Sequence, residues 1–163
     1  MSVRDLLHGS GLAIGAFYYH FPSKDEYFLA VLEHLSQSRG SMAEFAEAVA
    51  PATLEEAVLL AMGPLASDPA NGAMSLVVAE FALAHKGDAA IRSRVTEQRR
   101  IAVREIAAFL AVMQHRGLVR ADMEAESLAS MAFATVEGHV FHQEIYGEGF
   151  ETALEAATRV LRP

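Results

Sequence analysis

The stretch GLAIGAFYYHFPSKDEYF, residues 11–28, sets a short helical segment against the start of a longer helix. Pro22 ends the first segment, because proline has no N–H to donate and restricts the residue before it. Ser23 and Glu26 then have the spacing of a capping box, which predicts that a new helix begins there. The aromatic run ahead of Pro22 is therefore predicted to lie on a short helix over residues 12–21.

The rest of the chain shows helical spacing of apolar residues and no sustained alternation with period two, so the predicted fold class is all-α. Upstream, Ser2 and Asp5 resemble a capping box, and Gly9-Ser10-Gly11 ends a first short helix. The helix that begins at Ser23 is predicted to continue past Gly40, where it can bend, to about Ala50. Further helices are predicted from Thr53 to about Ser67-Asp68-Pro69, from Asn71 to Lys86-Gly87, from Asp88 to Gly117, from Asp122 to Tyr146, and from the turn Gly147-Glu148-Gly149 to about Leu161.

Composition narrows the class of protein. The chain has 163 residues, 52% of them hydrophobic, with no cysteine, which predicts a generous core and excludes disulfides and thiolate chemistry. No apolar run reaches the roughly 18 residues of a membrane span, and no leader pattern opens the chain, so we expect a cytoplasmic protein without membrane contact. A net charge of −8 argues against a protein whose whole body is drawn to nucleic acid, although it allows a local DNA-contacting end.

A short helix, a glycine turn, a second short helix and a capped long helix match part of a helix-turn-helix unit. Phe17 and Phe21 are four residues apart and would face inward with Leu12, which leaves the other side of the second helix exposed. Tyrosine hydroxyls, an imidazole and Lys24 on that side suit phosphate oxygens. The residues alone leave two interpretations open: a DNA-contacting helix, or an aromatic packing corner.

The segment GLAIGAFYYHFPSKDEYFLAVL resembles the recognition-helix signature of the tetracycline-repressor-like (TetR) family, and SVRDLLHGSG resembles the helix that precedes it in that family. The agreement in register covers Gly11, Gly15, Tyr18, His20, Phe21, Ser23, Lys24 and Glu26. The resemblance implies a truncated helix-turn-helix DNA-binding region over residues 1–40. It also implies a TetR-type helical ligand-binding and dimerisation domain over residues 41–163.

The function implied by this resemblance is a DNA-binding transcriptional regulator, in most members a repressor, whose operator binding is changed by a small-molecule effector. An effector that prefers one conformation of the helical body would shift the population and move the helix that begins at Ser23. The residues implied to contact DNA are Ala13, Ile14, Gly15, Ala16, Tyr18, Tyr19, His20 and Lys24.

Two departures from the family pattern predict that operator binding by this chain is weak or lost. Family members usually have another helix ahead of the position of SVRDL, whereas here the sequence begins at Met1. Without that helix we expect Leu6, Leu7, Phe17 and Phe21 to lose cover, and the N-terminal region to be mobile, rearranged or covered by another chain. In the recognition helix, Ala13, Ile14 and Ala16 replace polar residues and cannot make bidentate hydrogen bonds to bases.

The helical body is predicted to hold an effector pocket and a homodimer interface. Flexible or aromatic residues and imidazoles suit an apolar ligand with one polar group, although each is individually more typical of plain core. The predicted pocket residues are Met62, Phe81, His85, Phe109, Met113, Met131, Phe133 and His139. The predicted dimer interface uses small and apolar residues of the last two helices, with packing inside one chain as the alternative: Ala129, Ser130, Ala132, Ala134, Gly138, Ala153, Leu154, Ala157, Val160 and Leu161.

The sequence gives little support for metal binding or catalysis. His139 and His142 could share a helix face, but no further metal-ligand pattern accompanies them, and no nucleophile elbow, Walker motif or dinucleotide fingerprint is present. We therefore predict no enzyme and no cofactor. An arginine-rich segment over residues 92–104 reads as a solvated helix face with intrahelical ion pairs. The alternative function is a helical small-molecule-binding or scaffold dimer that no longer binds DNA.

Overall fold

The described part of the chain is all-helical, which confirms the predicted fold class. The computed structural model describes residues 2–11, 13–37, 40–67, 69–147 and 151–163, without the side chains of Leu6, 62–67, 69–73 and 151–154. The helices are α1 (Val3–Leu6), α2 (Ile14–His20), α3 (Lys24–Gln37), α4 (Met42–Val49), α5 (Leu54–Ser67), α6 (Pro69–Ala84), α7 (Ala89–His115), α8 (Ala125–Tyr146) and α9 (Glu151–Leu161). No helix within these described ranges is long and apolar enough to cross a membrane.

The chain divides into two compact units, Met1–Arg39 and Gly40–Pro163. In the first unit, the Ser2 hydroxyl accepts from the Asp5 N–H at 3.2 Å while the Asp5 carboxylate accepts from the Ser2 N–H at 2.7 Å, which closes the predicted capping box on α1. Gly9 and Gly11 adopt φ angles of 81° and 71° in the turn before α2, a conformation that side-chain-bearing residues rarely take. The Ser23 hydroxyl accepts from the Glu26 N–H at 3.1 Å, so α3 begins as its sequence predicts.

An aromatic cluster holds α2 against the start of α3. The Phe17 ring centroid lies 5.3 Å from that of Tyr18, 5.6 Å from that of Phe21 and 5.4 Å from that of Tyr27. Phe17 is consequently only 6% exposed, so the expectation that it loses cover is wrong. Leu7 and Phe21 are half-buried, and the side chain of Leu6 lies outside the described residues, as does Leu12.

The second unit is built on the hairpin of α7 and α8, against which α4, α6 and α9 pack, while α5 packs on α6 and α9. Its core is formed by buried residues from α4 to α9: Ala46, Leu54, Ala57, Val58, Val103, Phe109, Leu110, Met113, Val119, Leu128, Ala129, Ala132, Ala157 and Leu161. The turn between α7 and α8 is tied down by the Gln114 amide, which donates to the carbonyl oxygens of Arg120 at 2.8 Å and Met123 at 2.9 Å. The Arg120 N–H also donates to the Leu161 carbonyl at 3.0 Å, which joins this turn to the end of α9.

One predicted helix is interrupted. α3 ends at Gln37 and a separate helix begins at Met42, with residues 40 and 41 outside any helix, so the prediction of one helix from Ser23 to about Ala50 is wrong. The reason is local: the Ser41 hydroxyl accepts from the Glu44 N–H at 3.3 Å and caps α4, just after a glycine with low helix propensity. The Met42 N–H donates to the Glu105 carboxylate on α7 at 3.1 Å, which fixes the start of α4 within the second unit.

Other predicted boundaries shift by a few residues. α6 begins at Pro69 rather than after Asn71, because proline is tolerated in the first turn of a helix where its N–H would have no partner. α8 begins at Ala125, and Asp122 pairs instead with Arg120. Gly147 ends α8 in a left-handed conformation with φ 75°, while Asp68 and residues 148–150 of the predicted turns lie outside the described residues.

Candidate functional site

The exposed side of α2 is the first candidate site. What we call the α2 face comprises Ala13, Ile14, Gly15, Ala16, Tyr18, Tyr19 and His20. All seven are exposed, and so is Lys24 at the start of α3. The exposed fractions are 86% for Tyr19, 53% for Tyr18 and 41% for Ile14, although these are large side chains that proteins commonly bury. The structure thus places every residue that the sequence relates to DNA on an open surface of the first unit.

The α2 face has two chemically different ends. Its beginning, Ala13 to Ala16, is apolar or small, whereas its end carries two tyrosine hydroxyls and the His20 ring, which packs edge-on against Tyr19 at 5.0 Å between centroids. Tyr18 stands at 88° to the buried Phe17 ring, so its position is set by the aromatic cluster. The polar end can donate hydrogen bonds to an anion such as a phosphate, and the apolar end can contact only a methyl group or another apolar surface.

The predicted pocket residues do not surround one described cavity. Phe109 and Met113 are 4% and 0% exposed core side chains, because they fill the space inside the α7–α8 hairpin. Phe81 near the end of α6 contacts His85, just after the helix, at 4.3 Å between ring centroids, with His85 Nδ1 2.9 Å from the Phe81 carbonyl oxygen. His139 Nδ1 lies 2.8 Å from the carbonyl oxygen of Thr135, one turn earlier on α8.

The other three predicted pocket residues differ in exposure. Met131 is 46% exposed, and Phe133 is half-buried against the core. The side chain of Met62 lies outside the described residues. Some of the predicted pocket residues are therefore part of the core and others lie at the surface, because the helices that carry them pack at different depths.

A groove of about 450 Å³ lies at the α7–α8 turn and was not predicted. Its lining is Gln114, Gly117, Val119, Arg120, Ala121, Asp122, Arg162 and Pro163. Both arginines are already engaged: Arg120 binds Asp122 through two contacts of 2.6 Å, and Arg162 lies 3.3 Å from Glu55. The hydrogen bonds from Arg120 lower the pKa of Asp122, so this pair stays charged and mutually neutralised.

A second unpredicted feature is a group of side chains on the α7–α8 hairpin, which we call the Arg99 cluster: Arg99, Phe133 and Glu137. The Arg99 guanidinium carbon lies 5.3 Å from the centroid of the Phe133 ring. Burial raises the pKa of Glu137, and the charge of Arg99 opposes this only in part. Gln98 Oε1 is buried and has no hydrogen-bond partner among the described residues.

The predicted dimer residues divide between the inside and the surface of the chain. Ala129, Ala132, Ala157 and Leu161 are buried within the chain, so the alternative of intramolecular packing holds for these four. Ser130, Gly138 and Val160 are half-buried, Ala134 is exposed, and the side chains of Ala153 and Leu154 lie outside the described residues. A stripe along α8 stays open, with Met131 46% and Ile145 60% exposed; we call it the α8 stripe, and it comprises Met131, Ala134, Gly138, Phe141 and Ile145.

The remaining candidates have structural partners. Within the described ranges, no group of three or more His, Cys, Asp or Glu side chains could hold a metal ion, and the His142 ring packs against Tyr146 at 5.3 Å. In the arginine-rich segment, Glu97 binds Arg104 at 2.9 Å and Arg100 at 3.7 Å, and these contacts lower the pKa of Glu97. These contacts are the ion pairs on a solvated helix face that the sequence of this segment predicts.

Comparison of the chain with family models, curated proteins and solved structures gives no match. Proposals about its function therefore rest on the geometry of its described residues. The first unit offers the exposed α2 face, and the second offers the Arg99 cluster and the open α8 stripe.

Proposed function

We propose that this protein is a TetR-type DNA-binding transcriptional regulator, acting as a repressor, in which α2 is the recognition helix. The observation that carries the proposal is that all eight residues related to DNA by the sequence are exposed together on α2 and the start of α3. Phe17, the buried residue of α2, holds the helix in place through its ring contacts. To enter the major groove, a recognition helix must be fixed by packing against its own domain and have exposed residues that can reach the DNA.

The chemistry of the α2 face supports contact with the DNA backbone more than discrimination among bases. The tyrosine hydroxyls, His20 and Lys24 supply donors for phosphate oxygens. Ala13, Ile14 and Ala16 can contact a thymine methyl group but form no hydrogen bonds with base edges. We infer that the binding is weak, strongly dependent on salt and only modestly selective.

Selection from a pool of random duplex DNA at low salt tests this function. We expect enrichment of duplexes with thymine at the apolar contact positions, and an affinity that falls as salt concentration rises. Absence of both enrichment and salt-dependent binding would instead favour the alternative, a helical small-molecule-binding or scaffold dimer without DNA binding. The net charge of −8 and the apolar start of the α2 face are the observations on the side of that alternative.

We further propose that two copies pair through the α8 stripe together with α9. Apolar side chains as exposed as Met131 and Ile145, repeated on one side of a helix, are typical of a surface covered by a partner. Two recognition helices that enter successive major grooves must be roughly 34–36 Å apart, which takes two copies of the chain. The homodimer is thus a requirement of the DNA-binding proposal.

Met131→Glu combined with Ile145→Glu is expected to raise the dimer dissociation constant by about 100-fold or more, because two charges per chain would be buried without partners. Sedimentation equilibrium measures this change. Leu83→Glu on α6 is the matched control, since Leu83 is 70% exposed but lies outside the α8 stripe. A monomeric wild-type chain, or equal dissociation of the control, would contradict pairing through this stripe.

An effector would act by a population shift with a coupling of about 1–3 kcal/mol. Because α3 and α4 are separate helices, the helix that such a shift would move is α3.

A further inference from the structure

We propose that the α8 stripe packs antiparallel against the α8 stripe of a second copy, with Phe141 of each copy over Gly138 of the other. This inference rests on the proposed pairing through the α8 stripe, and it names the direction and the register of that pairing. Three features of α8 lead to this register: the spacing of the stripe, the order of its large and small side chains, and the open space above Gly138.

The α8 stripe has the spacing of a contact between two helices. Its residues follow one another at alternating steps of three and four, which is the heptad spacing that keeps a row of side chains facing one neighbouring helix. Within the chain, α8 packs on α6, α7 and α9. Its fully buried residues lie on another side of the helix: Leu128, Ala129 and Ala132. The described helices thus leave both ends of the stripe open, with Met131 46% and Ile145 60% exposed.

The order of large and small side chains makes the stripe complementary to itself when it is reversed. In an antiparallel pair centred between residues 138 and 141, Phe141 faces Gly138 of the partner subunit, and Ile145 faces Ala134 of the partner subunit. Each large side chain then meets a small one, and the twofold symmetry repeats each contact. In a parallel pair identical residues would face one another, which crowds Phe141 against its own copy and leaves a void at Gly138. The stripe therefore fits a second copy of itself in the antiparallel direction.

Gly138 leaves room for the ring of Phe141 from the partner subunit. Apart from the neighbours of this glycine in its own helix, no heavy atom lies within 4 Å of the position that a Cβ would take. A glycine inside a helix is unfavourable relative to alanine, because it loses more backbone freedom on folding. Nothing inside the chain requires the missing side chain, whereas close approach of a second helix does.

Cysteine cross-linking tests the register, because the wild-type chain contains no cysteine. A mixture of Ala134→Cys and Ile145→Cys chains is expected to form a covalent dimer on oxidation, since the two positions face each other. Each variant alone should form none, because two copies of either position would be about 16 Å apart along the helix axes, and a disulfide requires Cα atoms within about 7 Å. Cross-linking of either variant alone would indicate a parallel pair and overturn the proposal. A dimer that cross-links in neither experiment would overturn it as well.

Gly138→Leu separates pairing from folding. Leucine has open space in the single chain and a higher helix propensity, so helical circular dichroism should be retained. The dimer dissociation constant should rise about 100-fold, because leucine fills the place of Phe141 from the partner subunit at two symmetric contacts. Adding Phe141→Ala should recover most of this loss, since the large and small residues have then exchanged places. Ala111→Leu, an enlargement at an exposed position of α7, is the control. Equal dissociation of this control, or no recovery in the double variant, contradicts the register.

The same protein samples separate this inference from the proposed function. The expected cross-links in a chain that selects no DNA would overturn the regulator proposal and leave the antiparallel pair standing. DNA selection by a dimer with other cross-links would overturn the register and leave the regulator proposal standing. A monomeric chain would overturn the register and the pairing together.

Discussion

A variant carrying Tyr18→Phe, Tyr19→Phe and Lys24→Gln is expected to bind duplex DNA roughly 100-fold more weakly than the wild-type chain at low salt. Two neutral hydrogen bonds and one charged contact to phosphate are removed, each worth about 1–2 kcal/mol. The phenylalanine rings preserve the contacts of the aromatic cluster, so the fold of the first unit is retained. Because one cationic contact is lost, the dependence of log affinity on log salt should fall by about 1.

Fluorescence anisotropy with a labelled duplex, repeated at several salt concentrations, measures both quantities. The matched control combines Tyr146→Phe with Lys86→Gln, which makes the same kinds of change at exposed positions of the second unit. We expect this control to bind DNA as the wild-type chain does. Equal weakening in the control, or unchanged binding by the α2 variant, would show that the α2 face does not contact DNA.

Leu128→Ala is expected to lower the free energy of unfolding of the second unit by about 2–5 kcal/mol. Leu128 is 0% exposed at the centre of the core between α7 and α8, so the shortened side chain leaves a cavity that well-packed neighbours cannot fill. A loss of this size is a large part of the roughly 5–15 kcal/mol that stabilises a typical domain. The variant should therefore unfold at clearly lower urea concentration.

Urea unfolding followed by helical circular dichroism measures this effect. Leu83→Ala removes the same atoms from a residue that is 70% exposed, and we expect a change within about 0.5 kcal/mol. Similar losses for the two variants would mean that Leu128 is not at the centre of the core. A loss confined to Leu128→Ala confirms that the α7–α8 hairpin carries the stability of this unit.

The helices predicted most accurately are those whose ends depend on nearby residues. The caps of Ser2, Ser23 and Asp88 form as predicted, because each side chain bonds to an N–H two or three residues further along. The break before Met42 was missed although Ser41 is also a good cap. Helical periodicity on both sides of Gly40 favoured one helix, and the additional bond from Met42 to Glu105 depends on a residue 63 positions away.

The residues of the α2 face were predicted from the resemblance to a known family, and the structure adds that all of them are exposed. Helical spacing alone would place Ile14 and His20, each three residues from Phe17, on the same side of the helix as Phe17. The Arg99 cluster was not predicted, because it joins α7 to α8: the sequence analysis places Arg99 on a solvated helix face and Phe133 in a pocket, and nothing in the sequence brings the two together. The predicted pocket residues lie at different depths for a related reason: sequence spacing gives the face of a helix but not the depth at which that face is packed.

The amino-acid sequence by itself determined the all-helical class and the helix caps, since these depend on hydrogen bonds and spacing within a few residues, but it left the aromatic run before Pro22 open between a DNA-contacting helix and a packing corner. Tertiary structure decided which apolar residues are core and which remain open. Ala129 and Ala132 are enclosed by neighbouring helices, whereas Met131 between them lies exposed, because packing covers one side of α8 and leaves the other uncovered. Burial is a property of the assembled helices, so it follows from how they pack against one another.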